Sequence, residues 1–272
     1  MKLWAIIEYT FREGLARKTI IGFAVISTFF LLLGVLAAFL IPTMIEMGNA
    51  QTGTTTIDIT SDPKMIWQVQ SVMTGFINFA ALLLSIFATA SIIPNTMEKG
   101  SIDLLLSKPV SRYEILFGKS LGSLLIVLVN VAYFIIGMWL IVGLRTGEWN
   151  SSFLGVTFSI TYTFLILFAP MLVIGIASRS SALTIIILYV FIFLVSPILE
   201  SRDLILQIAS SDTAKTILDT LYYILPKPDA LGKVSHSLVM HTSIDWMPIW
   251  SSGLFAAAMY ALAAWLFRRK DF

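Results

Sequence analysis

The sequence predicts an all-α membrane protein with six transmembrane helices, and three observations carry that prediction. Of its 272 residues, 57% are hydrophobic and only 12% are charged, against roughly 45 to 50% apolar in a soluble domain. Six stretches approach or reach the roughly 20 apolar residues that cross a hydrocarbon core, and none of them contains Asp, Glu, Lys, Arg or His. Between the second and third stretches lies a short polar, charged segment, 98–114, with closely spaced helix starts and stops. It reads as a docking surface rather than a slack connection.

Taken in order, residues 1–19 place Leu3, Trp4, Ile7, Phe11 and Leu15 on one helical face and Lys2, Glu8, Arg12, Glu13, Arg17 and Lys18 around the rest. That pattern predicts a helix lying in the membrane interface, with Trp4 at headgroup depth. The alternation of charge and apolar residues is unlike a secretory signal, so the N-terminus is expected to be retained. The expected spans are 20–42, 69–94, 120–144, 153–177, 182–199 and 247–267, within a single transmembrane domain over 1–272. The first outer loop, 43–68, alternates over 53–60 enough for a short strand, or is irregular. The last, 200–246, has helical periodicity from Leu204 to Leu225, stopped by Pro226-Lys227-Pro228.

Six spans put both termini on one side. That side carries Lys2, Arg12, Arg17, Lys18, Lys99, Lys108, Arg112, Lys119, Arg179, Arg268, Arg269 and Lys270; the other holds Lys64, Arg145, Arg202, Lys215, Lys227 and Lys233. The positive-inside rule then makes both termini and the 98–114 loop cytoplasmic in a multi-pass inner-membrane protein. The absence of cysteine removes disulfides and thiolate metal sites. With a net charge of +2 and no long basic run, no nucleic-acid partner is expected.

Within 98–114, Ser101 caps a short helix with Asp103 in its first turn, and Ile102, Leu105 and Leu106 face the membrane. Pro109 stops it. Ser111-Arg112-Tyr113-Glu114 is a capping box that starts the next helix. The expected result is helix, sharp turn, helix, with Lys108 and Arg112 exposed between.

At these residues the chain resembles the ABC-2 type permeases, the membrane subunits of one class of ATP-binding-cassette transporters. The resemblance rests on Glu98, Gly100-Ser101, Leu104 to Leu106, Pro109 and Ser111-Arg112, with Ser101 standing where the family usually has Thr. It extends to the interfacial helix, the six spans and the helical last extracytoplasmic loop, and within the family it is nearest to permeases associated with multicopper-enzyme maturation. The resemblance implies a homodimer bound beneath by two ATPase subunits that hold ATP and Mg, with no cofactor in this chain. The loop would be the coupling helix, acting through Glu98, Gly100, Ser101, Asp103, Ser107, Lys108, Pro109, Ser111 and Arg112. It also implies ATP-driven export along the dimer interface.

In the second span, Ser71, Thr74, Asn78, Ser85 and Thr89 form one polar stripe down an apolar helix. Polar groups in lipid seek partners, so the stripe is either a pathway or dimer interface, or packing between helices. The resemblance places this helix near the dimer axis. Asn130, Thr157, Thr161, Tyr162 and Ser196-Pro197 are lesser candidates of the same kind. Pro170 is a candidate kink, and Gly118 with Gly122 allows close helix approach.

Other motifs fail. Phe117-Gly118-Lys119-Ser120 has the tail of a phosphate loop, but Tyr113 replaces its leading Gly. His236 and His241 lack carboxylate companions, and Met44, Met47, Met240 and Met247 have no regular ligand spacing. Asn150-Ser151-Ser152 matches a glycosylation acceptor incidentally. With no Asp, Glu, Lys, Arg or His in any span, an ion-coupled carrier or intramembrane enzyme lacks its usual machinery. The alternatives to an ATP-driven permease are a gradient-driven carrier and a scaffold that anchors an ATPase.

Overall fold

The computed structural model describes residues 2–16, 18–52, 63–97, 110–202, 205 and 212–270, without the side chains of 2–3, 37–52, 63, 212–215 and 217. Every regular element among them is helical. Helix α1 (Lys2–Ala16) precedes α2 (Thr19–Thr52), and α3 (Pro63–Thr89) continues after a break into α4 (Ile92–Thr96). Next come α5 (Arg112–Thr146), a 3-10 turn (Ser151–Gly155) and α6 (Val156–Ser178). The fifth span is built from α7 (Ser181–Val190), a π-helical turn (Phe191–Val195) and α8 (Ser196–Glu200). Finally α9 (Asp212–Ile224), α10 (Pro228–Val239) and α11 (Met247–Arg269) complete the chain. Six of these stretches are long and apolar enough to cross a membrane. The expected strand at 53–60 and the short helix after Ser101 lie outside the described residues.

Helix α6 is the centre. It is apolar on every side, the mark of a helix surrounded by others, and Ile160, Phe164, Leu167, Phe168, Leu172 and Ile176 are all essentially inaccessible. Around it pack α3, α5, α7, α10 and α11. Pro170 sits inside α6 without ending it. Pro197, by contrast, follows the π turn of the fifth span. A proline ring crowds the carbonyl four residues back and offers no N–H, and one wider turn relieves both problems.

In a bilayer the lipid tails are as apolar as leucine, so helices associate through close contact and a few polar pairs. Both devices join α2 to α5. Gly137 receives Leu31 and Gly34 receives Met138, where a Cβ would stand 2.7 and 2.8 Å from those side chains. The Ser27 hydroxyl donates to Asn130 Oδ1 at 2.6 Å, which accounts for Asn130 in an apolar span.

Helix α1 is held the same way. A Cβ at Gly118 would lie 2.6 Å from Ile6, and one at Gly122 would lie 2.7 Å from Thr10, so the two glycines form a groove that seats α1 on α5. Lys119, 1% exposed, pairs with Glu13 beside the Tyr9 ring. This places the failed phosphate-loop motif inside a helix. The buried edge of α1 is Ile6, Thr10 and Gly14, while Trp4, Phe11 and Leu15 face outward. Lys18, with φ of 59°, turns the chain from α1 into α2.

The sequence and structure differ at the ends of two elements. Helix α2 runs through Pro42 to Thr52, because the end of an apolar run marks the bilayer surface and not the end of backbone hydrogen bonding; Met44, Glu46 and Met47 are good helix formers. In the last loop, Pro228 begins α10 instead of only closing the helix before it.

Replacing Gly122 with Val is expected to destabilise the chain by about 1 to 3 kcal/mol through the clash with Thr10. Gly75→Ala is the control, because nothing lies within 4 Å of its would-be Cβ; it should be neutral or stabilising by up to about 1 kcal/mol. Thermal unfolding of the two variants in detergent checks both.

Candidate functional site

At the end of the molecule that gathers the N-terminal helix and the C-terminus, the chain enters α5 through Ser111. The Ser111 hydroxyl accepts from Glu114 N–H at 3.2 Å, and the Glu114 carboxylate accepts from Ser111 N–H at 2.7 Å, completing the capping box. Arg112 is turned inward instead of standing exposed. Its guanidinium donates to the carbonyls of Arg268 at 2.9 Å and Lys270 at 2.8 Å. The physical reason is that the last carbonyls of a helix have no partner of their own and carry its negative end. Lys270 does the same for α6, donating to the carbonyls of Ile176 and, at 3.1 Å, Ala177.

The third, fourth and sixth spans are therefore stapled together where the polar loop joins α5. Burial, and to a lesser extent the nearby Arg179 charge, lowers the Lys270 pKa. Glu98, Gly100, Ser101, Asp103, Ser107, Lys108 and Pro109 lie outside the described residues. Ser111 and Arg112 alone place that candidate set in the fold.

The polar stripe of α3 lies inside one copy of the chain: Ser71, Thr74, Asn78, Ser85 and Thr89 are each at most 5% exposed. It divides into two halves. Towards the termini, Ser85 donates to the Ala81 carbonyl and Thr89 to the Ser85 carbonyl, both at 2.6 Å, so both hydroxyls are satisfied by their own helix. Thr74 does likewise with Gln70.

In the far half, where α3 faces α10, the buried Gln70 Nε2, Ser71 Oγ and Asn78 Oδ1 have no hydrogen-bond partner among the described residues. Asn78 Nδ2 lies 3.0 Å from where a Cβ on Gly232 would stand, so a side chain at that position of α10 would press on the amide. Asn150 Nδ2 donates to Gln70 Oε1 and to the Val239 carbonyl, both at 3.1 Å, fastening α3, the α5–α6 connection and α10 together. Gln70 escaped the sequence reading although it lies one turn from Thr74 on the same face.

The lesser candidates are also occupied within the chain. Thr161 donates to the Thr157 carbonyl and Tyr162 to the Ile249 carbonyl. Ser196 donates to Asp229 Oδ2 at 2.5 Å. Asp229 belongs to a charged cluster that caps the far end. Within it Glu200 pairs with Lys233, and Arg202 lies 3.8 Å from Asp219 with its guanidinium 3.6 Å above the Tyr222 ring.

Lys227 donates to Ser251 at 2.7 Å; burial, then the Arg202 charge, pushes its pKa down. The Asp229 pKa is pushed up, chiefly by withdrawal of its carboxyl from water and also by Glu200, against the Ser196 hydrogen bond and the Lys233 charge. Among the described residues no three His, Asp or Glu side chains gather as a metal site, and His241 instead packs on Trp67 at 4.8 Å.

Six apolar spans, the fourth buried at the centre, with most polar groups gathered in a terminal staple, an interior stripe and a far cap, define a multi-pass membrane protein. Residues 4–272 match the family model described as ABC-2 family transporter protein, and the chain belongs to that family. Membership makes it a membrane subunit of an ABC transporter rather than a catalytic one, and implies association with an ABC ATPase. No curated protein matches the chain.

The raised Asp229 pKa fixes the sign of a pH effect. The folded chain holds that proton more tightly than the unfolded one, so the contribution is full below the ordinary value of 3.8 and is lost as pH rises through the folded value. Asp229→Asn is expected to unfold at a higher temperature than the parent at about pH 7, with the gap closing towards about pH 4. Melting curves across that range check it.

Proposed function

We propose that the chain is the permease subunit of an ATP-driven exporter. In this reading it works as a homodimer in the inner membrane with both termini cytoplasmic, above two ATPase subunits that bind ATP and Mg. Residues 98–114 form the coupling element, and α1 lies in the cytoplasmic interface. The placement nearest to permeases of multicopper-enzyme maturation belongs to the same reading, and rests on resemblance alone.

The observation that carries the proposal is the Arg112–Lys270 staple. The loop enters the membrane at Ser111, and the next residue grips the end of α11, whose following lysine grips the end of α6. Force delivered to the loop would reach three spans as one body, and through α6 the whole bundle. At the opposite end of α3, the unanswered polar atoms of Gln70, Ser71 and Asn78 mark where a polar substrate would meet the bundle. The single residue Gly232 would set the width there.

The chain has no cysteine, so Ser107→Cys provides a unique attachment point. Crosslinking through it in native membranes, followed by mass spectrometry, is expected to capture a P-loop ATPase. A folded chain that captures none would favour a gradient-driven carrier or a scaffold.

A further inference from the structure

A second feature faces the lipid, away from the stripe. Between α5, α6 and α11 runs a groove of about 390 Å³, within the size range of small-molecule sites. Its walls include Phe117, Leu121 and Leu124 of α5 and Leu165 of α6, and it is opened by the small residues Gly253, Ala256 and Ala257 of α11. The hydroxyls that border it are already used. Ser120 donates to the Leu116 carbonyl at 2.8 Å, Tyr162 to the Ile249 carbonyl at 2.8 Å and Tyr260 to the Leu165 carbonyl at 3.5 Å. The groove therefore offers hydrocarbon contact and no free polar group, which fits an alkyl chain and excludes a polar solute.

A charge lies beyond one end of the groove. Gly253, Ala257, Tyr260, Ala264 and Arg268 recur at three or four residues and so share a face of α11. At about 1.5 Å per residue, Arg268 stands ~16 Å along the axis from Ala257, close to half of a hydrocarbon core of roughly 30 Å. The lining on α11 ends at Tyr260, so Arg268 stands ~12 Å beyond it, within reach of the headgroup of a lipid whose chain fills the groove.

Three cations end this helix, and two are committed. Lys270 donates to the carbonyls of α6, and Arg269 lies 4.3 Å above the Trp265 ring. The Arg268 side chain is exposed and makes no hydrogen bond or ion pair among the described residues. Tyr113, on the same face of α5 as Phe117 and Leu121, is exposed at the same end.

We propose that this groove holds one acyl chain of an anionic phospholipid, with its phosphate on Arg268. The partner is a lipid and not a second copy of the chain, because the lining is hydrocarbon with its hydroxyls already engaged, and beyond its end on the same face of α11 stands the exposed cation Arg268.

Native mass spectrometry of the purified full chain, offered phosphatidylglycerol and phosphatidylcholine in equal amounts, tests the proposal. The parent is expected to retain phosphatidylglycerol about fivefold more, the factor for roughly 1 kcal/mol per basic residue near an anionic surface. Arg268→Gln, which touches no described partner, should bring that ratio to about one while lipid is still retained. Ala257→Trp should fill the groove and lose both lipids. Equal retention by the parent, full retention by the Trp variant, or a disulfide between two copies through Ala257→Cys would each overturn it.

Discussion

A helix that is apolar on every side must be surrounded, and α6 imposes that requirement on the whole molecule. Five other helices cover it, each offering an apolar face inward and leaving large residues such as Val129, Ile186 and Leu254 to the lipid. Lipid competes well for apolar surface, so burial alone selects no neighbour. What makes the arrangement specific is the set of contacts that lipid cannot imitate: glycines that admit a neighbouring side chain, and polar groups that must find partners. Gly118 and Gly122 seat α1, Gly34 and Gly137 fit α2 to α5, and Ser27 meets Asn130. Each of these places a helix that already covers α6, or one that covers those.

The same logic separates the two ends. Near the termini, every helix end leaves carbonyls in want of donors, and Arg112 and Lys270 supply them from neighbouring helices. The result is a stiff plate beneath α6. The far end is held by charged and partly wet contacts among Glu200, Arg202, Asp219, Asp229 and Lys233, which salt and pH can weaken. Between the two, α3 carries a stripe that is self-satisfied near the plate and unanswered near the cap. In the proposed transport cycle, the plate would take the input and the cap would respond.

How much of this was legible depends on how local each signal is. The six spans follow from hydropathy because each is a property of one segment. The Ser111–Glu114 capping box involves four consecutive residues, and the close approach at Gly118 and Gly122 follows from the absence of a side chain. Arg112 was misjudged because its direction is set by helix ends more than 150 positions away. Periodicity assigned the stripe to one face of α3 but not to a partner, since α10 had been hidden: Pro226-Lys227-Pro228 reads as a stop, yet proline is equally at home in the first turn of a helix. The charged cap was invisible because its members are spread over α8, α9, α10 and the turn after α8.

The most direct test of the account is whether ATP used at the plate moves the cap. A fluorophore on Ser237→Cys, in α10 on the far side of α6, would report on the purified permease with its ATPase bound. The account predicts a change in emission on adding Mg-ATP that reverses as ATP is consumed and does not occur with ADP. Hydrolysis measured in the same sample with no change at Ser237 would contradict it, leaving the chain as a membrane anchor for an ATPase whose work is done elsewhere.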